Sequence, residues 1–197
     1  MPFIGLIGCD GCGKSAVIGC VAEVLRAEGI KVACGHWRPT LSARQSTTTE
    51  SIIVTDPHGQ PTRGLAASVI KLGWLWLNWW VGWWTGLRKA SREGVVLFDR
   101  LHVDLLADPQ RYRYGGPLWL AIMATRIMPQ PDMILFLDAA PDVLLSRKQE
   151  VSSATLAESR QRYLGLGDRF QNFQLIDVNQ SLGEVVEEVL ARIRGIH

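Results

Sequence analysis

The chain has no cysteine beyond Cys34, almost no net charge, and no apolar run of the ~20 residues that a membrane-spanning helix needs. Each absence removes a class of protein. The formal net charge of +2 gives no broad basic surface for coating nucleic acid, so no nucleic-acid partner is expected. The four cysteines, Cys9, Cys12, Cys20 and Cys34, contain one C-x-x-C pair, and a four-ligand zinc site would want a second pair that is missing. The first residues, MPFIGLIGCD, show no basic stretch ahead of an apolar core, so no secretory signal is read and a reducing cytoplasm is expected. No internal repeat or low-complexity linker divides the 197 residues, which suit one domain, 1–197.

What is present is an alternation of short apolar runs with helical patterns. Phe3–Ile7, Ile30–Gly35, Val95–Phe98, Met133–Leu137 and Phe173–Ile176 read as buried strands. Helices are expected over Ser15–Glu28, about Leu65–Glu93, Leu118–Met128, Pro141–Glu150, Ser153–Leu166 and Leu182–Ile193. A polar loop, rich in Thr, Pro and Gly, fills Arg38 to Gly64 and ends in DPHGQPTRG. Strands each followed by a helix imply an α/β fold with a five-stranded parallel sheet and helices on both faces. In such a sheet a ligand sits at the carboxyl ends of the strands, where Gly8–Ser15, Asp99-Arg100 and Asp138 all fall.

Gly8-Cys9-Asp10-Gly11-Cys12-Gly13-Lys14-Ser15 matches G-x-x-x-x-G-K-[ST] between an expected strand and an expected helix. Glycines let backbone amides turn toward an anion, and the helix N-terminus adds partial positive charge. Gly8, Asp10, Gly11, Cys12, Gly13, Lys14 and Ser15 would hold nucleotide, with Lys14 on the outer phosphates and Ser15 offering its hydroxyl to magnesium. The two loop cysteines are either a redox or metal pair or passengers at free loop positions. As passengers they would have enhanced reactivity, because amide-rich, cationic surroundings lower a thiol pKa.

Asp99, past the buried run GVVLF, can organise magnesium or merely cap a turn. Arg100 beside it can clamp a phosphate oxygen. Asp138 reads equally as a site carboxylate or as turn chemistry. Arg147, Lys148, Arg160 and Arg162 form a cationic group that is either a closing lid, about residues 146–166, or a solvated helix face with Glu158 and Arg162 paired at i,i+4. His102 reads as a structural histidine more readily than as a ligand.

The combination GCDGCGKS, VVLFDR, PDMILFLDAAPDVLLSRK, SRQRYLGL and FQLIDVNQSLGEVVEEV resembles thymidylate kinases, which are P-loop nucleoside monophosphate kinases. The resemblance runs from Ile4 to about Val189 and is weakest between Thr40 and Ser91. It implies a P-loop kinase fold with a helical lid, ATP and Mg2+ as cofactors, a small-molecule phosphate acceptor and often a homodimer. By the same resemblance Lys14, Asp99, Arg100 and Arg147 would be catalytic, Ser15 and Asp99 would serve the metal, and Asp10, Arg38, Arg100 and Trp79 would meet the acceptor. The arginine expected at the thymine site falls close to Trp79 here, and the tyrosine often found after Asp-Arg is Leu101. The acceptor is therefore dTMP or a related molecule. The alternative is a sugar, sugar nucleotide or lipid-linked glycan, because DPHGQPTRG, the tryptophan helix and RYRYGG resemble the branch associated with cell-surface polysaccharide synthesis.

Two other classes fit a glycine-rich phosphate loop. A GTP switch would need Asn-Lys-x-Asp, which is absent. A non-catalytic nucleotide-binding partner protein would act through the tryptophan helix. That helix, Leu72–Leu87, is uncharged and carries six of the eight tryptophans. At 100° per residue Trp76, Trp79, Trp80, Trp83, Trp84 and Leu87 share one broad face, opposite Asn78, Gly82, Thr85 and Gly86. The face reads as a homodimer interface, an acceptor platform or a peripheral membrane contact.

Overall fold

A computed structural model of the chain describes residues 2–37, 39, 61–140, 143–144 and 153–196, with the backbone alone for 153–155. Expectations placed on Arg38, on the loop 40–60, on Arg147 and on Lys148 lie outside the described residues.

Five parallel strands form one sheet: β1 (Phe3–Ile7), β2 (Val32–His36), β3 (Val95–Asp99), β4 (Met133–Asp138) and β5 (Phe173–Asp177). Their spatial order is β2-β3-β1-β4-β5. The chain leaves the centre at β1, fills one side and then the other, which makes the end of β1 the switch point of the sheet. β1, β3 and β4 are central and read as unbroken apolar runs because helices cover both their faces. Edge strand β2 is half exposed and carries Ala, Cys and Gly instead.

Helix α1 (Lys14–Ala27) starts directly from the glycine loop and buries Val17, Ile18, Val21 and Leu25 on the sheet. Gly29, at φ +80°, turns the chain into β2 in a conformation costly for other residues. The closing helix, Leu182–Arg194, begins with a reciprocal capping box between Ser181 and Glu184, and buries Val185, Val186, Val189, Leu190 and Ile193.

The long tryptophan helix is in three parts: α2 (Leu65–Gly82), a π-helical turn (Trp83–Leu87) and α3 (Arg88–Glu93). Ser68, Leu72, Leu75, Trp79 and Gly82 are buried, at alternating steps of four and three. The next buried residue is Leu87, a step of five. The π turn inserts one residue and so re-aims the seam at the sheet. This corrects the single tryptophan face expected from 100° per residue. Trp79 alone among the six is completely buried, Trp76, Trp80 and Trp83 are half-buried, and Trp84 stays 62% exposed. Gly82, expected on the far side, packs inward; a Cβ there would lie 2.4 Å from the Pro39 ring.

Further helices are α4 (Asp104–Ala107), α5 (Leu118–Arg126), α6 (Ser153–Leu164) and α7, the closing helix already described. No helix among the described residues is long and apolar enough to cross a membrane.

Candidate active site

The parallel register places Leu6 of β1 opposite Asp99 of β3, and Ile7 opposite Phe136 of β4. The loop that follows β1 therefore opens between the ends of β3 and β4. Gly8, Gly11 and Gly13 all have positive φ, at 150°, 85° and 93°. A Cβ on Gly8 would also meet the Leu137 carbonyl at 2.8 Å. The loop thus turns tightly against β4 and enters α1 with free amides at the helix start, an anion cradle.

Lys14 is buried, and its Nζ donates to the Gly8 carbonyl at 3.0 Å and the Cys9 carbonyl at 2.9 Å, with Cys12 Sγ at 3.5 Å. Its ammonium is folded onto the loop itself. Ser15 Oγ donates to Asp99 Oδ2 at 2.9 Å. Asp99 Oδ1 is buried with no hydrogen-bond partner. A hydroxyl, a carboxylate and an orphaned carboxylate oxygen are a hard-cation donor set, so these residues fit Mg2+ or its water shell. Among the described residues no cluster of three His, Cys, Asp or Glu side chains offers another metal site.

Arg100 stands at φ +70°, its amide donating to the Leu6 carbonyl at 2.9 Å. This left-handed residue ends β3 and swings the buried guanidinium toward the loop. There it meets Asp10 in close contact, with Asp104 Oδ1 at 3.5 Å. Asp104 is completely buried. It accepts from the Leu101 amide at 2.7 Å and from the Tyr163 hydroxyl at 2.7 Å. Burial raises the Asp104 pKa, opposed by Arg100 and these donors. Burial also disfavours ionised Asp10, but Arg100, Arg111 and Lys14 outweigh it and hold this carboxyl well below the usual range.

Arg111 was not anticipated from sequence. It closes on the second oxygen of Asp10, so two guanidiniums share one carboxylate. The signal was the stretch RYRYGG, which resembles the polysaccharide-synthesis branch and was not read as a source of a site cation. Trp37 was likewise not foreseen. It follows β2 and stacks on Tyr112 at 4.7 Å between ring centroids.

Five expectations are corrected or resolved by these contacts. Trp79 lies in the core against Phe3, Phe98 and His102, with no open ring face for an acceptor. Its truncation to Ala would cost about 3–5 kcal/mol. His102, completely buried beside it, has its pKa pushed down to about 3 by desolvation and is a neutral packing residue. Asp138 takes Arg160 bidentately, at 2.6 and 2.7 Å, which ties α6 to the end of β4. Arg162 pairs with Glu158 on an exposed surface, the solvated helix face. Cys9 and Cys12 are buried free thiols, and burial pushes Cys9 up to about 11, the reverse of enhanced reactivity.

No protein-family model matches the chain. The chain is 25% identical over 203 residues to the probable thymidylate kinase 1 of Saccharolobus solfataricus, covering 98% of this chain and 96% of that protein. It is 25% identical over 216 residues to the thymidylate kinase of Shewanella loihica, covering 96% and 93%. The crystal structure of thymidylate kinase from Ehrlichia chaffeensis superimposes with a TM-score of 0.64 at 17% identity, covering 98% of both chains. The chain is thus similar over its whole length to thymidylate kinases, and the likeness indicates an ATP-dependent kinase. That sets the five-stranded parallel sheet and its phosphate loop as a kinase scaffold, and accounts for the end-to-end similarity despite low identity.

Proposed function

We propose that the protein transfers the γ-phosphoryl group of ATP to the phosphate of a nucleoside monophosphate, with dTMP the first acceptor to test, and that it does so in the cytoplasm. The observation that carries the reading is the Ser15–Asp99 pair, with its orphaned carboxylate oxygen, beside a phosphate loop whose lysine faces inward. The names of the two curated relatives support dTMP. Bound Mg2+ would neutralise charge on the transferring phosphates, held by Ser15 and Asp99.

The loop amides and Lys14 fix the donor phosphates. Arg100 reaches charge that spreads over the transferred group, and Asp10 stands on the acceptor side of the loop. Catalysis here is positioning plus electrostatics, since no side chain must form a bond to phosphorus. Arg147 and Arg38 are proposed to add cations from the lid and from the loop after β2. α6, held by the Asp138–Arg160 pair, is the fixed root from which such a lid would close.

We also read the outer face of α2 and α5 as a homodimer surface. Ile70, Trp74, Leu77, Val81 and Trp84 of the tryptophan helix, with Trp119, Met123 and Ile127 of α5, are exposed apolar side chains, more than a monomer usually shows together.

The test is ADP release with Mg2+ and ATP over a panel of nucleoside monophosphates, free sugars and lipid-linked glycans. Turnover with dTMP supports the assignment. Turnover with a sugar and none with dTMP rejects it, and no turnover of any acceptor by protein that binds ATP favours a nucleotide-binding partner protein.

A further inference from the structure

A cavity of about 530 Å3 opens between the turn that follows α4, helix α5 and the end of α6. Its lining shares no residue with the phosphate loop, Asp99, Arg100 or Arg111. Its volume falls in the range of small-molecule sites. The floor is apolar: Leu106 of α4, the Tyr114 ring and Leu166 are buried, and Ile122 of α5 is half-buried.

The charge on the lining is of one sign. Arg162 of α6 and Arg169 border the cavity, and no carboxylate does. Arg162 holds Glu158 at 2.5 Å, but both side chains are exposed, and a surface pair of this kind is weak and screened by salt. Arg169 has no ion-pair partner among the described residues.

The walls are held by hydrogen bonds. The Tyr114 amide donates to the Pro109 carbonyl at 2.8 Å, and its hydroxyl to the Pro117 carbonyl at 3.0 Å. Gly116 lies against that ring, and a Cβ there would come within 2.7 Å of it. The chain ahead of α2 is laced to the same turn, the Arg63 amide donating to the Arg113 carbonyl at 3.0 Å. On the opposite wall the amides of Arg169 and Phe170 both donate to the Leu166 carbonyl, at 2.9 and 3.0 Å, which fixes the turn after α6. Walls already in place bind at a small ordering cost.

An apolar floor beside two guanidiniums selects its occupant. A cation would be repelled, and a small hydrated anion would leave the floor unused. We propose that this cavity is a second small-molecule site, for an amphipathic anion. A compact ring or branched aliphatic body covers Leu106, Tyr114, Ile122 and Leu166, and a carboxylate, sulfonate or phosphate head lies between Arg162 and Arg169. One wall belongs to the turn that carries Arg111 to Asp10, so the occupant stiffens that turn. The site goes beyond the kinase reading and stands without it.

The test uses the full chain with Mg2+ and a non-hydrolysable ATP analogue, so that the phosphate loop is filled. Anilinonaphthalene sulfonate, an apolar ring body with one anionic group, is titrated by fluorescence. Arg162→Gln combined with Arg169→Gln should weaken its binding about tenfold. N-phenylnaphthylamine, the same rings without the sulfonate, should bind wild type and that double variant within twofold of each other. Ile122→Trp, which fills the floor, should weaken the sulfonate about tenfold as well. Trp84→Glu, on the outer face of the tryptophan helix, should change it less than twofold. Hydrogen exchange should show added protection over 106–116 and 162–170 when the sulfonate binds, and none of it in the double variant. Both arginines are exposed, so the double variant should keep the wild-type Tm even if Ile122→Trp does not fold. Sulfonate affinity within twofold of wild type in the double variant overturns the proposal, as does protection confined to 70–84, which would seat the probe on the tryptophan helix. Failure of the kinase reading is read separately, as failure to bind the ATP analogue.

Discussion

The two sides of the cleft are built differently. The side proposed for the donor is one contiguous stretch, Gly8 to Ser15, plus Asp99 placed opposite by the β1–β3 register. Its geometry follows from positive-φ glycines and a helix start, so little beyond the local chain is needed. The side proposed for the acceptor gathers Asp10, Trp37, Arg100, Asp104, Arg111, Tyr112 and Tyr163 from five separate segments. A contiguous cradle suits a donor common to many enzymes. A composite pocket can change its acceptor one segment at a time.

The largest expected effect comes from breaking the donor side. Lys14→Ala should lower kcat by about 100-fold or more with every acceptor, measured by ADP release, because it removes a fixed charge from the transferring phosphates. Asp99→Asn should act nearly as strongly, and should raise the Mg2+ concentration needed for half-maximal rate. Either variant at full activity would dissolve the distinction between the two sides.

The acceptor side should respond in KM more than kcat. Arg111→Gln is expected to raise the acceptor KM about tenfold while leaving the KM for ATP within twofold. An equal rise for both substrates would mean that Arg111 supports the fold and not the acceptor.

The scaffold between the two sides carries its own signature. His102 is neutral in the folded protein, with a pKa near 3, but titrates near 6.5 when unfolded. Between those values only the unfolded chain binds the proton. Stability should therefore fall as pH drops from about 6.5 toward 3, by up to about 1.4 kcal/mol per pH unit. Chemical denaturation at pH 7 and pH 5 measures this, and His102→Gln should flatten the dependence. Asp10 is shifted in the same direction but in a lower pH window. Its depressed pKa adds stability that is fully present above about pH 4 and is lost only in stronger acid, so it does not blur the His102 signal.

The smallest effect on activity is expected on the outer face. Trp84→Glu should leave kcat within about twofold, because the ring is exposed, with Arg88 lying over it at 4.7 Å. It should shift the mass measured by light scattering from dimer to monomer. An unchanged mass would refute the homodimer reading of that face.

The phosphate loop was legible in the sequence because its chemistry is local. Glycine spacing, lysine and serine occupy eight successive residues, and the strand before and the helix after are each marked by their own periodicity. The parallel sheet was legible for a related reason: strands covered on both faces must be continuous apolar runs, and these are. Asp99 and Arg100 could be named because they terminate such a run.

Sequence periodicity failed where backbone geometry departs from regular helix. The π turn at Trp83–Leu87 shifted the buried seam by one residue beyond Gly82, so that Leu87 packs inward and Trp84 stays outside. Solvation failed to follow from composition at Cys9, whose neighbours suggested an activated thiol until burial reversed the sign.

By itself, then, the sequence determined the parallel α/β scaffold, the glycine loop after β1 and the carboxylate that faces it, since each depends on residues adjacent in the chain or on the end of a strand. Tertiary structure alone decided what surrounds Asp10. Arg100 and Arg111 converge on it across 90 and 101 residues of chain. Only the strand order and the turn after α4 fix that meeting, and no local pattern records which distant charges will share a carboxylate.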